Sequence, residues 1–308
     1  LGDQFGQTNS HLLTRVFCWF YFSINLGAFV SILLTPWLLQ KYNASIAFAV
    51  PGVLMAVATF VFWSGRYRFV HIPPAGMGFI RETLSKEGLQ VLGRLAIIYL
   101  FITVFWSLFD QAFSAWVLQA SKMDRVIFSV ELLPSQINAV NPVLIMILIP
   151  FFSYVVYPFI NQYWKLTALR KIAVGLFIAV IAFSISSAIQ FAIDAGQTPH
   201  IGWQLLAFLV ITIAEVMVSI TCLEFSYTQA PTKMKSLVMA LFLLSISLGN
   251  LLTSAVNYFI QNDDGSSKLD GVSYYVFFTV LMLIAAILFT QVVKRYKTRS
   301  YIQAEAVL

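Results

Sequence analysis

Three carboxylates set in apolar surroundings carry the chemistry this sequence offers. Glu215 and Glu224 lie in "ITIAEVMVSITCLEFSYTQAPTKMK", residues 211–235, and Asp110 lies in "FWSLFDQAFSAWVLQA". An ionisable group at mid-bilayer costs about 2.5–3.5 kcal/mol on insertion scales, so it marks a functional position by default; the plainer alternative is a carboxylate paired to a neighbouring helix for assembly. A carboxylic acid in a low-dielectric cavity has its charged form disfavoured and can take and release protons during a cycle. Asp110 is the candidate for that role, with Ser114 at i+4 and Gln111 beside it. Glu215, Ser219 and Cys222 recur at i, i+4 and i+7, one stripe on an ideal helix. On the same ideal helix Glu224 falls about 900° beyond Glu215 and faces nearly the other way. The two glutamates are therefore not a catalytic pair, and Glu224 reads as a gating or structural contact.

Neutral polar groups complete the set. An amide offers donors and an acceptor with no net charge to desolvate. Asn25, Asn141, Asn250 and Asn257 all lie in apolar runs. For Asn25 and Asn141 a ligand contact and a helix-to-helix hydrogen bond both stay open, whereas Asn250 and Asn257 read as helix-to-helix bonds. Tyr21 lies one turn before Asn25, and Tyr227 reads as an interfacial belt residue.

The elements that must position these groups follow from composition. The chain is 59% hydrophobic and only 10% charged, with a mean hydropathy of +0.83. A soluble domain carries about 25% charged residues, so this is an all-α polytopic membrane protein. Its apolar runs predict eight spans, at 16–39, 45–64, 94–121, 137–160, 169–193, 202–228, 234–260 and 272–293. Of the 19 Lys and Arg residues, only Lys41, Lys122, Arg125 and Lys268 fall on one side; the rest fall on the side of both chain ends, which the positive-inside rule makes cytoplasmic. The net charge of +6 is this loop bias and implies no nucleic-acid partner. Residues 66–93 break the pattern: "HIPPAG" cannot continue a helix, and residues 79–92 predict a short amphipathic helix on the membrane surface. The chain thus divides into 1–65 with two spans, a 66–93 linker and a 94–308 bundle of six. The opening "LGDQFGQTNSHLLTR" looks like a mid-protein loop, so we expect further spans upstream of it.

Enzyme and cofactor signatures are missing from the sequence. There is no HExxH, Walker loop or GxSxG, and the histidines His11, His71 and His200 lie in loops or at span ends. Cys18 and Cys222 stand in apolar runs unsuited to pairing, so neither a disulfide nor a metal site is expected.

Four blocks together resemble the proton-dependent oligopeptide transporter family of the major facilitator superfamily. They are "FYFSINLGAF" at 20–29, "FWSLFDQ" followed by "AW", "QINAVNPVLIMILIPFF", and "AEVMVSITCLEFSYTQAPTKMKS". They are similar, in order, to parts of that family's fifth, seventh, eighth and tenth spans. The resemblance implies a major facilitator-type helical fold, here the last two spans of the N-terminal bundle and the six of the C-terminal bundle. It also implies a proton-coupled symporter that imports di- and tripeptides by alternating access, the substrate held between the bundles. Under it, Glu215 meets the peptide ammonium, Asn25 and Asn141 meet the peptide backbone, and Tyr21 and Ser219 join the binding set, while Asp110 couples protons. Phe113 and Cys222 stand where the family has Gly, and Phe242 where it often has Trp. The short loops imply a bacterial inner membrane. Carriage of another solute such as nitrate, and a non-transporting sensor or assembly subunit, are the competing readings; a carboxylate at Glu215 disfavours an anion-only substrate.

Overall fold

Hydrocarbon offers no partner to a backbone amide, so a spanning segment satisfies itself by winding into a helix. The computed structural model describes residues 4–5, 12–70, 76–127, 129–262 and 267–296. Among these it contains 8 helical segments long and apolar enough to cross a membrane, at 19–41, 44–64, 86–120, 134–163, 168–194, 202–229, 235–260 and 272–295. Every expected span is present, and the largest displacement is at the third, which begins at Lys86. His11, His71, Lys297 and Arg299 lie outside the described residues, as does all but the last residue of "HIPPAG".

The chain divides into two units between Gly76 and Met77. In the first, α1 (Leu13–Lys41) and α2 (Ala44–Ser64) are joined at Asn43. The Asn43 side chain accepts from the Ile46 amide at 2.9 Å and so caps α2. Phe48, Leu54, Phe60 and Phe62 leave α2 apolar and exposed, the pattern of a helix whose solvent is lipid.

The second unit opens with α3 (Met77–Thr83) and α4 (Lys86–Phe109). The single amphipathic helix expected over 79–92 is instead split. Ser85 accepts from the Gly88 amide at 3.0 Å and starts a new helix that runs directly into the span. Only glycine fits at 88, because a Cβ there would stand 2.7 Å from the Thr83 carbonyl oxygen. α3 keeps its charged face in use through an ion pair of 3.6 Å between Glu82 and Lys233.

The third span passes through a 3-10 turn at Asp110–Phe113 into α5 (Ala115–Ala120). A two-residue antiparallel ladder follows, β1 (Val126–Ile127) with β2 (Val130–Glu131). The fourth span enters by a 3-10 segment at Pro134–Ala139 and continues as α6 (Val140–Phe151), a π-turn at Phe152–Val156 and α7 (Tyr157–Tyr163). Pro150 and Pro158 bracket that π-turn, and a proline has no amide to close the ordinary i to i−4 bond. Then come α8 (Ala168–Asp194), α9 (Gly202–Glu215), a second π-turn at Val216–Ile220, α10 (Thr221–Gln229), α11 (Lys235–Ile260) and α12 (Val272–Arg295).

The core of this unit is built from Leu95, Ile98, Ile102 and Phe105 of α4 with Phe183 of α8, Phe208 of α9 and Phe278 and Phe289 of α12. Polar ties fix its ends. The Gln119 amide donates to the Ser186 carbonyl and to Gln190 Oε1, both at 3.1 Å, and Gln204 donates to the Trp116 carbonyl at 2.8 Å. Asp194 accepts from Gln190 at 2.8 Å and from the Val272 amide at 2.7 Å, so it binds the end of α8 to the start of α12. At the other end Tyr99 of α4 donates to Ser226 of α10 at 2.7 Å.

α4 and α11 approach closest at Gly249. A Cβ there would lie 2.8 Å from the Ser107 amide, the Thr103 carbonyl and Trp106 Cβ, two of which are backbone and cannot move aside cheaply. Thr253 then donates to the Ser107 carbonyl at 3.1 Å. We expect Gly249→Ala to lower stability by about 1–3 kcal/mol through overpacking. Gly93→Ala, on the same α4 but with nothing within 4 Å, should be neutral or stabilising by up to about 1 kcal/mol. Thermal unfolding in detergent compares the two, and equal effects would show that the close approach does not matter.

Candidate functional site

α9 ends on Glu215, and the next five residues unwind into a π-turn, so the carboxylate sits at a break in its helix. It is buried, at 5% exposure, in a unit whose other buried polar side chains are mostly uncharged. A charge there needs donors close by. Asn141, also 5% exposed and at the start of α6, supplies one: its Nδ2 donates to Glu215 Oε2 at 2.9 Å and to Thr212 Oγ1 at 3.0 Å. The Thr212 hydroxyl donates in turn to the Phe208 carbonyl at 2.6 Å, so it is held as an acceptor for Asn141. Two residues singled out separately from the sequence are thereby one hydrogen-bonded site. Thr212 was missed, although its place three residues before Glu215 on a helix is a usable signal.

The π-turn corrects the helical geometry expected of this span. One extra residue in the turn reduces the rotation from Glu215 to Glu224 to about 800°, roughly a quarter turn apart rather than opposite. The i, i+4, i+7 stripe is broken for the same reason. Cys222 is fully buried in the hydrophobic core, and Ser219 is a buried member of the π-turn itself. The turn has support from α8, where Gly175 would, with a Cβ, come within 2.6 Å of Val218 Cγ2 and 3.1 Å of the Ala214 carbonyl. A lone glycine inside an apolar helix was the only sequence sign of that packing. Glu224 is exposed and acts electrostatically on Tyr157 and Lys171, whose ammonium stands 4.1 Å over the Tyr157 ring.

Asp110 stands at the start of the 3-10 turn on the third span. The expected i, i+4 contact with Ser114 takes another form, because the helix tightens there: Ser114 Oγ donates to the Asp110 backbone carbonyl at 3.4 Å. The Asp110 carboxylate instead accepts from Nδ2 of Asn250 on α11, at 2.6 Å. Asn257, further along α11, hydrogen-bonds Tyr274 of α12. Phe113 projects with its ring against Phe109 at a centroid distance of 5.7 Å. In the other unit, Asn25 is buried on α1 and donates to the Tyr21 carbonyl at 2.9 Å. Tyr227 lies beneath the Lys235 ammonium, 3.8 Å from its ring.

The bond pattern predicts an order of stability effects. Asn141→Leu removes the donor shared by Glu215 and Thr212 and should cost about 1–3 kcal/mol, whereas Thr212→Val should cost about 0.5–1.5 kcal/mol because the Asn141–Glu215 bond survives. Thermal unfolding of the two variants in detergent reads the order, and a larger loss for Thr212→Val would contradict the geometry.

Comparison with known proteins places these features. The sequence profile of the POT family matches residues 1–86 and 77–273. Solute carrier family 15 member 2 of Oryctolagus cuniculus is 30% identical over 263 residues, which are 72% of this chain and 36% of that protein. Peptide transporter 3 of Caenorhabditis elegans is 31% identical over 233 residues, 62% of this chain and 33% of that protein. The chain therefore spans about a third of the length of the curated relatives it matches. Among solved structures, an auto-inhibited POT family peptide transporter superposes with a TM-score of 0.82 at 30% identity, covering 99% of this chain and 75% of its own. The POT family transporter PepTSo gives 0.79 at 31% identity, with 95% and 73% covered. With eight membrane helices of major facilitator type among its described residues and a family profile that runs across most of its length, this chain belongs to the POT family.

Proposed function

We propose that this chain is part of a secondary active transporter that imports di- and tripeptides together with protons by alternating access. The observation that carries the reading is Glu215: a buried carboxylate at a helix break, held by the Asn141 amide. A peptide's amino terminus is an ammonium that must leave water to enter a protein site. A desolvated carboxylate repays that cost only when its geometry is fixed by donors close by, and Asn141 supplies one such donor to Glu215. Nitrate or another small anion gains nothing from such a site. The amides of Asn141 and, in the first unit, Asn25 serve the peptide backbone, with Tyr21 and Ser219 as further contacts. Contacts confined to termini and backbone leave the side chains of the peptide unselected.

Asp110 serves as the proton site in this reading, and Glu224 as a gating contact near Lys171 and Tyr157. Proton and peptide both enter from the side opposite the chain ends. The distribution of Lys and Arg supports cytoplasmic ends, and the short loops favour a bacterial inner membrane.

The test is uptake of labelled dialanine into liposomes holding the full-length protein that contains this chain, under an inward proton gradient. Uptake should collapse with a protonophore. Glu215→Gln should lower it about 30-fold or more, the equivalent of the 2 kcal/mol or above lost when one partner of a buried charge pair is truncated. Absence of uptake by folded protein would overturn the peptide assignment, and full uptake by Glu215→Gln would remove Glu215 from the site.

A further inference from the structure

We propose that Asn250 is the positioning residue of the Asp110 carboxylate, holding it against α11 while it is charged and releasing it when it takes a proton. The proposal rests on the reading of Asp110 as the proton site.

The seam between α4 and α11 carries three contacts in succession. Gly249 brings the backbones together, Thr253 meets the Ser107 hydroxyl at 2.7 Å and its carbonyl at 3.1 Å, and Asn250 reaches Asp110 at 2.6 Å. The first two involve no group that titrates in the physiological range, so they anchor α11 whatever the protonation state. The third is different in kind. A hydrogen bond to a charged carboxylate is roughly twice as strong as one between neutral groups, so protonation of Asp110 weakens this contact and leaves the other two intact.

No charged group among the described residues opposes that contact. Among the described residues, no Lys or Arg lies within ion-pair distance of Asp110. α5 and the Pro134–Ala139 segment, both packed on the turn, carry no charged residue. On α11 the only charged residue is Lys235, about 22 Å along the axis from Asn250. Lys86, Glu87 and Arg94 occupy the opposite end of α4, and Gln111, next to Asp110, is turned away by donating to the Ser107 carbonyl at 2.8 Å. Among the described residues Asn250 is thus the side chain that registers the state of Asp110. It passes that state to α11, which joins α10 and the π-turn of Glu215 through the short segment 230–234.

The experiment compares two modes of transport by the full-length protein in liposomes. One is dialanine uptake driven by an inward proton gradient; the other is counterflow of labelled for unlabelled dialanine at equal pH on both sides. Asn250→Leu is expected to lower driven uptake at least tenfold and to leave counterflow within twofold. Asn250→Ala, which adds no bulk, decides by the same criteria if the leucine variant does not fold. Equal loss of both modes would make Asn250 a structural amide and overturn the proposal. So would retention of driven uptake by Asn250→Leu in a preparation where Asp110→Asn loses it, with the proton-site reading left standing. Retention of driven uptake by Asp110→Asn would overturn both.

Discussion

A charge buried in a bundle that lipid surrounds must be met by donors on neighbouring helices, and the second unit is arranged around that requirement. Close to Glu215 on α9 the one polar side chain is Thr212, and its hydroxyl donates to the Phe208 carbonyl instead. The carboxylate's partner comes from α6, and Asn141 reaches it only because α6 and α9 pack side by side with Thr212 fixing the amide. The helix break beyond Glu215 is kept by α8, where the absence of a side chain at Gly175 admits Val218. α6 therefore meets the carboxylate of α9, and α8 packs against the break beside it.

Asp110 obeys the same rule at a second place with a different solution. Its span tightens into a 3-10 turn, which turns the carboxylate toward α11, and Asn250 supplies the donor. Both acidic groups lie where a regular helix gives way, one to a wider turn and one to a tighter one. Such irregularities carry backbone groups that ordinary winding would satisfy, and within membranes they persist where protein surrounds them. Function and departure from ideal geometry coincide here.

The sequence made the spans legible because hydropathy acts over whole segments and tolerates error in any one residue. Glu215, Asp110 and Asn141 were legible for a related reason: a polar atom in an apolar run stands out. What it concealed were local windings. The π-turn at Val216–Ile220 has no proline and no distinguishing composition, so an ideal periodicity misplaced Glu224 and assigned Cys222 to a stripe it does not join. The linker helix was misread for a similar reason, since the Ser85 cap outweighs amphipathic pattern over so short a length. Asn250 was read as a helix-to-helix bond, which it makes, but its partner is a residue 140 positions away that no local pattern identifies.

The central claim is that Glu215, held by Asn141, receives a substrate ammonium. Binding of dialanine and of N-acetyl-dialanine to the purified full-length protein, measured by calorimetry, tests it most directly. Acetylation removes the ammonium and keeps the backbone and carboxylate, so the account predicts that only dialanine binds measurably. Comparable affinity for both would contradict it, because Glu215 would then be buried for the bundle's sake and not for a ligand's.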